Sequence, residues 1–150
     1  MPRKTQFLIF AVLAVAVVLV VTEWLMGRSF FGPAGYPILW VGGIWDANCS
    51  QGFADPYAFS HIAHGLVFFY LLWLVARRVP LGVRSFLAVL LEAGWEILEN
   101  SPIIINRYRD VTIALGYSGD SIFNSVSDLL MMSLGFLFAW RMPVWASVLL

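Results

Sequence analysis

Long apolar blocks, rather than short alternating periods, dominate the pattern of hydrophobic and polar positions along this chain. The four blocks cover residues 7–26, 60–76, 81–99 and about 120–140. Each is close to the roughly 20 residues that a helix needs to cross the hydrocarbon of a bilayer. The pattern therefore predicts an all-α fold, a polytopic bundle of four transmembrane helices. We expect a single membrane domain over residues 1–150, with loops at 27–57 and 100–119.

The two ends of the chain each allow two interpretations. The first block follows a basic MPRKTQ start, as a signal peptide would. Its apolar run exceeds the roughly 7–15 residues of such a signal, however, and no A-x-A cleavage site follows it, so we expect a retained first helix. Residues 142–150 turn apolar again but are too short to span a bilayer. They indicate either an interfacial segment or a natural chain that continues into a further helix.

Composition supports a membrane protein and excludes some partners. Of the 150 residues, 61% are hydrophobic and 12% are charged, and the formal net charge is zero. A soluble domain carries about 25% charged residues. Because binding a polyanion requires a basic surface, no nucleic acid partner is expected. Cys49 is the only cysteine, which excludes an internal disulfide and favours a bystander thiol over a nucleophile.

The basic residues orient the predicted bundle. If there are four crossings, one side of the membrane receives Arg3, Lys4, Arg77, Arg78, Arg84 and Arg141. The positive-inside rule makes that side cytoplasmic, so the N-terminus is cytoplasmic and the two long loops face outward. The outer side still carries Arg28, Arg107 and Arg109, so the charge bias is incomplete.

The first outer loop is rich in glycine and aromatic residues, FFGPAGYPILWVGGIWDANCSQGF. Trp40, Trp45 and Tyr57 suit the headgroup region, where a ring is half wet and half in contact with lipid. Residues 36–45 are interpreted either as a segment that rests on the membrane surface or as a lid that dips into the bundle. The first interpretation is favoured, because most loops lie on a surface.

Ionisable residues share one face and one depth in each of three predicted helices. The spacing of three or four residues, which brings side chains to one face of a helix, is found in His61/His64, Glu92/Glu96/Glu99 and Asp120/Asn124/Asp128. The antiparallel topology brings all of these groups to the outer ends of their helices. A carboxylate that faces lipid costs on the order of 3 kcal/mol. We therefore predict that the polar faces converge on an outward-opening cavity.

Two kinds of chemistry fit such a cavity. His61, His64 and Glu96 could hold a divalent transition metal, since imidazole and carboxylate ligands suit Zn, Fe or Mn. Alternatively, crowded carboxylates raise the pKa of at least one member and prepare it as a general acid without a metal. The candidate catalytic residues are Glu96, Glu99, Asp120 and Asp128. For each single residue a structural role stays open: Asp120 as a helix N-cap, a histidine as a satisfied interior side chain.

Candidate substrate-binding residues are Arg107, Arg109 and Asn124. The two arginines lie in the loop sequence NRYRD, close to the predicted mouth of the cavity, where they could bind a lipid phosphate. Equally, they could form ion pairs with Asp110 and the glutamates of the rim. Asn124 could instead connect helices through hydrogen bonds, as polar residues do in membranes.

Three sequence blocks resemble one family of small alphaproteobacterial inner-membrane proteins, domain-of-unknown-function family 2585. These blocks are FSHIAHGLVFF, LEAGWEILENSPIIINRYR and GYSGDSIFNSVSDLLMMSLGF. The resemblance covers nearly the whole chain and implies a multi-pass protein of the bacterial inner (plasma) membrane, without implying a particular reaction. The E-x-x-x-E pattern followed by D-x-x-x-N-x-x-x-D is also distantly similar to VanZ-like membrane proteins.

Two functional hypotheses from different classes follow. The first is a hydrolase or transferase that acts on a lipid or lipid-linked substrate at the polar cavity. The second is a non-catalytic subunit that binds an ion or metal, or that assembles with another membrane protein. The inner halves of the second and fourth helices, LVFFYLLWLVA and LLMMSLGFLFAW, are apolar. They favour a blind pocket over a pore that a carrier would need.

Overall fold

The computed structural model of the protein describes residues 2–111 and 117–149. Within these ranges the fold is all-helical, and the only extended pairing is an isolated bridge between Trp40 and Ala54. The helices are α1 (Arg3–Leu25), α2 (Ala58–Ala76), α3 (Leu81–Glu99), α4 (Pro102–Val111), α5 (Ile122–Arg141) and α6 (Val144–Leu149). A short 3₁₀ turn occupies Gly32–Ala34.

Helix α4 lies inside the segment 100–119, which the sequence analysis treated as a loop. Pro102 occupies its first position, where the missing N–H costs no hydrogen bond and the fixed φ suits a helix start. The ten residues are too few to cross a bilayer and too polar to be detected as an apolar block. Residues 112–116 of the same predicted loop lie outside the described residues.

Three helices in the described part of the chain are long and apolar enough to cross a membrane: α1, α2 and α5. Four spans were predicted, and α3 is the helix that length and composition do not support in the same way. It has 19 residues but carries Arg84 and three glutamates. All three glutamates lie in the last eight residues of the helix, so its first half is much more apolar than its second.

Helices α2 and α5 form the most extensive helix contact of the molecule. Two glycines permit it. A Cβ atom on Gly65 would overlap the carbonyl oxygen of Met132, and a Cβ atom on Gly135 would overlap the carbonyl oxygen of Ile62. Small residues allow helix backbones to approach closely in membranes. This contact packs the first two turns of α2, which carry the histidines, against the middle of α5.

Apolar side chains fill the half of the bundle away from the polar residues. The buried cluster consists of Leu19, Leu72, Ala88, Val89, Ala93, Leu129, Met132 and Phe136. The outer surface of α1 is also apolar: Phe7 is 71% exposed and Leu25 is 74% exposed. Such a helix suits lipid as its surroundings better than water.

Backbone hydrogen bonds attach the segment 26–57 to the start of α5. The segment is therefore part of the packed fold in addition to being a surface loop. The N–H groups of Ser121, Ile122 and Phe123 donate to carbonyl oxygens of Ser50, Ser29 and Phe30 at 2.9–3.2 Å. The first N–H groups of a helix have no partner inside the helix, so these bonds complete α5. The aromatic residues Trp40 and Trp45 stay exposed, at 54% and 70%.

Candidate functional site

Polar side chains collect at one end of the bundle. They come from the C-terminal ends of α1 and α3 and from the N-terminal ends of α2 and α5, because the long helices alternate in direction along the chain. The fully or nearly fully buried members of this group are Glu23, His61, Glu92, Glu96, Asn100, Asp120, Ser121, Asn124, Ser125, Ser127 and Asp128. So many buried polar groups at one depth mark either a network of hydrogen bonds or a binding site.

His61 is the centre of the first cluster. Its Nδ1 lies 2.6 Å from Oε1 of Glu92 and 3.4 Å from Oε1 of Glu96, and its Nε2 lies 3.7 Å from Oδ2 of Asp128. Nδ1 of His64 lies 3.1 Å from Oε2 of Glu92. One imidazole on α2 thus faces three carboxylates on two other helices.

The hydrogen bond to Glu92 indicates which ring nitrogen of His61 carries the proton, because an ionised carboxylate can only accept. A separation of 2.6 Å between Nδ1 and Glu92 is that of a strong hydrogen bond in which Nδ1–H donates to the carboxylate. In the neutral ring, Nε2 then carries the lone pair. That lone pair is on the side of Asp128. Glu92 therefore orients the ring, as second-shell carboxylates do for metal-binding histidines.

Glu96 is the unsatisfied member of the cluster. Its side chain is fully buried, and neither Oε1 nor Oε2 has a hydrogen-bond partner among the described residues. Oε1 is near Nδ1 of His61, but the proton there is already donated to Glu92. A buried carboxylate without a partner is costly, and such groups commonly pair with a charge or coordinate a metal.

Two groups of side chains at this site have the spacing of metal ligands. His61, Glu96 and Asp128 form one group, and in each group the ligand atoms lie within 4.8 Å of one another. The other group combines His61 with His64 and Glu92. The predicted metal ligands His61, His64 and Glu96 are therefore divided between two groups that share His61.

Asn100, at the C-terminal end of α3, is the centre of a second cluster. Its Nδ2 lies 3.3 Å from Oε1 of Glu23, 3.1 Å from Oδ2 of Asp120 and 3.3 Å from Oγ of Ser125. Its Oδ1 accepts from the N–H of Asp120 at 2.6 Å. The carbonyl oxygen of Glu96 accepts from the same amide, so the two clusters are neighbours.

Asp120 is held in place by this second cluster rather than acting as a cap. The N-cap interpretation of Asp120 was wrong: Oγ of Ser121 accepts from the N–H of Asn124 at 3.1 Å and so caps α5. Oδ1 of Asp120 accepts from the hydroxyl of Tyr117 at 3.0 Å. Burial, followed by the charge of Glu99, raises the pKa of Asp120 to about 7. Asp120 is thus ready to exchange a proton near neutral pH.

The remaining predicted site residues lie outside the group formed by His61, Glu96 and Asp128. Glu99 is half-buried and belongs to neither group of metal-ligand spacing. Nδ2 of Asn124 donates to the carbonyl oxygen of Gly52 at 3.0 Å, which engages it in the fold. Arg107 is exposed on α4, whereas Arg109 borders a polar cavity beside Asp120.

Sequence reasoning placed Glu92 on the polar face but left it out of the candidate site. It did not assign any role to Asn100, Arg28 or Gln51. Glu92 had a detectable signal, the spacing of four residues from Glu96. Gln51 donates from Nε2 to the carbonyl oxygen of Gly119 across 68 residues of sequence, and no helical periodicity could have indicated that contact.

Cys49 has the properties of a structural thiol. It is half-buried, and its Sγ lies 3.7 Å from Oδ2 of Asp55. Burial, together with the nearby Asp55 carboxylate, raises the pKa of the Cys49 thiol to about 11. The thiol is protonated at neutral pH, and the thiolate is the nucleophilic form. This agrees with the bystander role that the sequence favoured.

Comparisons with known proteins identify relatives in alphaproteobacteria but no solved structure that matches. A UPF0314 protein of Rhizobium etli strain CIAT 652 is 51% identical over 142 residues, which are 95% of this chain and 73% of that protein. A UPF0314 protein of Paracoccus denitrificans is 52% identical over 134 residues, which are 88% and 69% of the two chains. A UPF0314 protein of Novosphingobium aromaticivorans is 50% identical over 130 residues, covering 83% and 66%.

The family comparison agrees with the resemblance noted in the sequence. The model of a family described as protein of unknown function, DUF2585, matches residues 23–150. That range contains every side chain of both polar clusters, including Glu23 at its first position. The chain is therefore a member of the DUF2585 family.

Proposed function

We propose that this protein is a metal-dependent hydrolase or transferase of the bacterial inner membrane that acts on a lipid or lipid-linked substrate. In this proposal α1, α2, α3 and α5 all cross the bilayer as one membrane domain, with the N-terminus in the cytoplasm. The polar end of the bundle then faces outward. The basic residues at the opposite end support this orientation through the positive-inside rule.

The observation that carries the proposal is the environment of Glu96. Its fully buried carboxylate has no hydrogen-bond donor in the described structure, and it faces the imidazole of His61 and the carboxylate of Asp128. Two carboxylates and one imidazole suit Zn, Fe or Mn. The ligand atoms of this group lie within 4.8 Å of one another. Bonds from zinc to its ligands are about 2.0–2.2 Å long, so modest side-chain rotations would bring all three ligand atoms to bonding distance of one ion.

Each residue then has a distinct role. His61 would bind the metal through Nε2, Glu96 and Asp128 would bind it through carboxylate oxygens, and Glu92 holds the imidazole through Nδ1–H. Three protein ligands would leave one coordination position for water, and a bound metal would supply the Lewis acidity that makes this water a better nucleophile at neutral pH. His64 and Glu99 lie at the edge of the site and are the candidates for proton transfer.

A carrier is the less favoured alternative, because the polar track ends within the bundle. Beyond the His61 cluster, α2 and α5 close on each other at Gly65 and Gly135. The next buried side chains there are apolar, including Leu72 and Phe136. An ion would need polar groups along the whole path, since charge in a bilayer interior is costly. A blind pocket fits chemistry on a bound lipid better than transport.

Metal content is the first test. The protein is purified in mild detergent without chelator, and elemental analysis compares it with the double variant His61→Ala/His64→Ala. We expect near-stoichiometric metal in the unaltered protein and almost none in the double variant. Arg107→Gln, an exposed change on α4, is the matched control and should keep its metal. Absence of metal from the unaltered protein would contradict the metal centre.

Activity is the second test. The metal-loaded protein is incubated with a lipid extract from an alphaproteobacterial membrane, and mass spectrometry compares the lipids with those left by Asp128→Asn. We expect one lipid class to decrease, with its products appearing, only with the unaltered protein. If both samples leave the same lipids while metal is bound, the protein is a metal-binding subunit and the enzymatic role is wrong.

A further inference from the structure

We propose that the cavity between Arg28 and Arg109 binds the phosphate group of an anionic ligand. This inference rests on the proposed function, because it names the class of substrate as a phosphate-bearing lipid. The cavity has a volume of about 360 Å³ and lies at the polar end of the bundle. Its lining consists of Gly27, Arg28, Ser29, Gln51, Arg109, Ser118, Gly119 and Asp120.

Arg28 is built into this cavity rather than extended into solvent. Its Nη1 donates to the carbonyl oxygen of Ser118, and the two residues are in contact although 90 positions separate them in the sequence. Gly119 makes room for it: its φ of +91° is left-handed, and a Cβ atom there would overlap Nη1 of Arg28. The Nε of Arg28 is buried and has no hydrogen-bond partner in the described part of the chain.

Arg109 is fixed on the other side by the same stretch of backbone. Its Nε donates to the carbonyl oxygen of Tyr117 at 2.6 Å. The residues that hold the two guanidinium groups, Tyr117 and Ser118, are adjacent in sequence. The two arginines are therefore pre-positioned on one short segment before any ligand binds, which lowers the entropic cost of binding.

Neither Arg28 nor Arg109 has a close ion-pair partner among the described residues, although the charge of Arg28 acts at longer range on the Glu23 carboxyl. Every ion pair of 4.0 Å or less between described residues involves His61 or His64, and none involves Arg28, Arg107 or Arg109. A guanidinium group presents five N–H donors in a planar fork and binds phosphate through two parallel hydrogen bonds. Two such forks around one cavity match the several oxygens of a phosphate group.

The cavity also connects to the proposed metal centre. Asp120, on its lining, accepts from Nδ2 of Asn100, and the same amide donates to the carbonyl oxygen of Glu96. Asn100 thus links a lining residue of the cavity to the backbone of a proposed metal ligand. A phosphate held by Arg28 and Arg109 would therefore bind at the same end of the bundle as the proposed metal ligands.

Direct binding tests the inference. The protein in neutral detergent is titrated calorimetrically with dihexanoyl phosphatidic acid, with inorganic phosphate, and with dihexanoylglycerol, which lacks phosphate. Arg28→Gln and Arg109→Gln should weaken binding of the phosphatidic acid by about tenfold or more. Arg107→Gln removes the same charge from α4 outside the cavity and should change the affinity by less than about twofold. Arg28→Lys keeps the charge without the fork and should give an intermediate affinity.

The outcomes separate the sources of the phosphate and the two proposals. Similar affinity for inorganic phosphate would identify free phosphate as the ligand, and binding of only the phosphatidic acid would identify a lipid head group. No binding of either probe, or equal loss in all the arginine variants, would overturn the inference. Metal content is measured in the same samples: metal without phosphate binding defeats this inference alone, and phosphate binding without metal defeats only the proposed function.

Discussion

The two polar clusters differ in how their buried groups are satisfied. In the Asn100 cluster, one amide reaches three side chains and a backbone carbonyl, and its own oxygen accepts an N–H. In the His61 cluster, Glu92 accepts from both histidines, whereas Glu96 accepts from no donor among the described residues. Glu23 is intermediate: one oxygen is hydrogen-bonded, and the other has no partner among the residues that the structure describes.

This difference separates a structural network from a binding site at equal depth. Both clusters are buried, both contain carboxylates, and both connect α3 with α5. Hydrogen-bonded polar groups contribute to the specificity of a helix bundle, as the Asn100 amide does by joining α1, α3 and α5. A buried carboxylate with no donor indicates instead that a cation belongs beside it. The contrast predicts that changes in the first cluster reduce stability, and changes in the second reduce metal binding.

The largest expected effect is on Glu96. Glu96→Gln removes the charge but keeps the shape, and a carboxamide is a poor metal ligand. We expect the affinity for zinc to fall by at least about a hundredfold, while the protein stays folded. Zinc affinity is measured by competition with a chelator of known affinity, and folding by the thermal unfolding midpoint.

Glu99→Gln is the matched control, because it makes the same change on the same helix three residues further along. Glu99 is half-buried and belongs to neither group of side chains with metal-ligand spacing. The zinc affinity of the Glu99→Gln variant should therefore stay within about threefold of that of the unaltered protein. Equal losses in both variants would mean that general negative charge, and not a specific site, attracts the metal.

A smaller effect is expected at Glu92, which holds His61 without binding the metal in our proposal. Glu92→Gln keeps a hydrogen-bond acceptor for Nδ1–H of His61 but removes the charge. Loss of such an outer partner costs about 10–100-fold in metal affinity. The same chelator competition measures it. If Glu92→Gln lost as much affinity as Glu96→Gln, then Glu92 itself would be a ligand and His64 would join the site.

A change at Asn100 should lower stability and leave metal binding intact, the opposite of the changes at Glu96 and Glu92. Asn100→Ala removes the amide that Glu23, Asp120 and Ser125 share. Hydrogen bonds between membrane helices contribute roughly 0.6 kcal/mol each and up to about 1.7 kcal/mol. We therefore expect the thermal unfolding midpoint to fall by several degrees, with metal content retained. A variant with unchanged stability and no metal would reverse the roles assigned to the two clusters.

The sequence predicted the convergence on His61 better than any other part of the site. His61, Glu96 and Asp128 lie on faces defined by helical spacing, and the antiparallel order of apolar blocks places those faces at one end. Spacing within a helix could not rank Glu96 above Glu99, because both lie on the same face. They differ in burial, which depends on how the neighbouring helices pack around each side chain and not on spacing along α3.

The contacts of the non-helical segments could not be predicted in this way. Arg28 and Gln51 reach Ser118 and Gly119 through contacts between residues far apart in sequence. Neither contact leaves a periodic pattern, and charge alone made Arg107 and Arg109 look equivalent. Both arginines are exposed, and only the fold of the segment that precedes α5 places Arg109, and not Arg107, beside the cavity.

The smallest expected effect concerns pH and the cavity of Arg28 and Arg109. Asp120 lies on the lining, and burial with the nearby Glu99 charge raises its pKa to about 7. The pKa of its partner Tyr117 is raised by burial and by the Asp120 charge, so the phenol stays protonated. Arginine side chains do not titrate in this range. Between about pH 6 and 8, Asp120 is thus the lining group that changes charge.

Sulfate is the suitable probe, because its charge is constant over this range whereas that of a phosphomonoester is not. At low pH neutral Asp120 can donate a hydrogen bond to the anion, and at high pH its carboxylate repels it. We expect sulfate affinity to fall several-fold as the pH rises through about 7. Asp120→Asn should remove the dependence and bind sulfate more tightly than the unaltered protein at the alkaline end. A pH dependence that persists in Asp120→Asn would place the titrating group outside this cavity, among the other buried carboxyl groups of the two clusters.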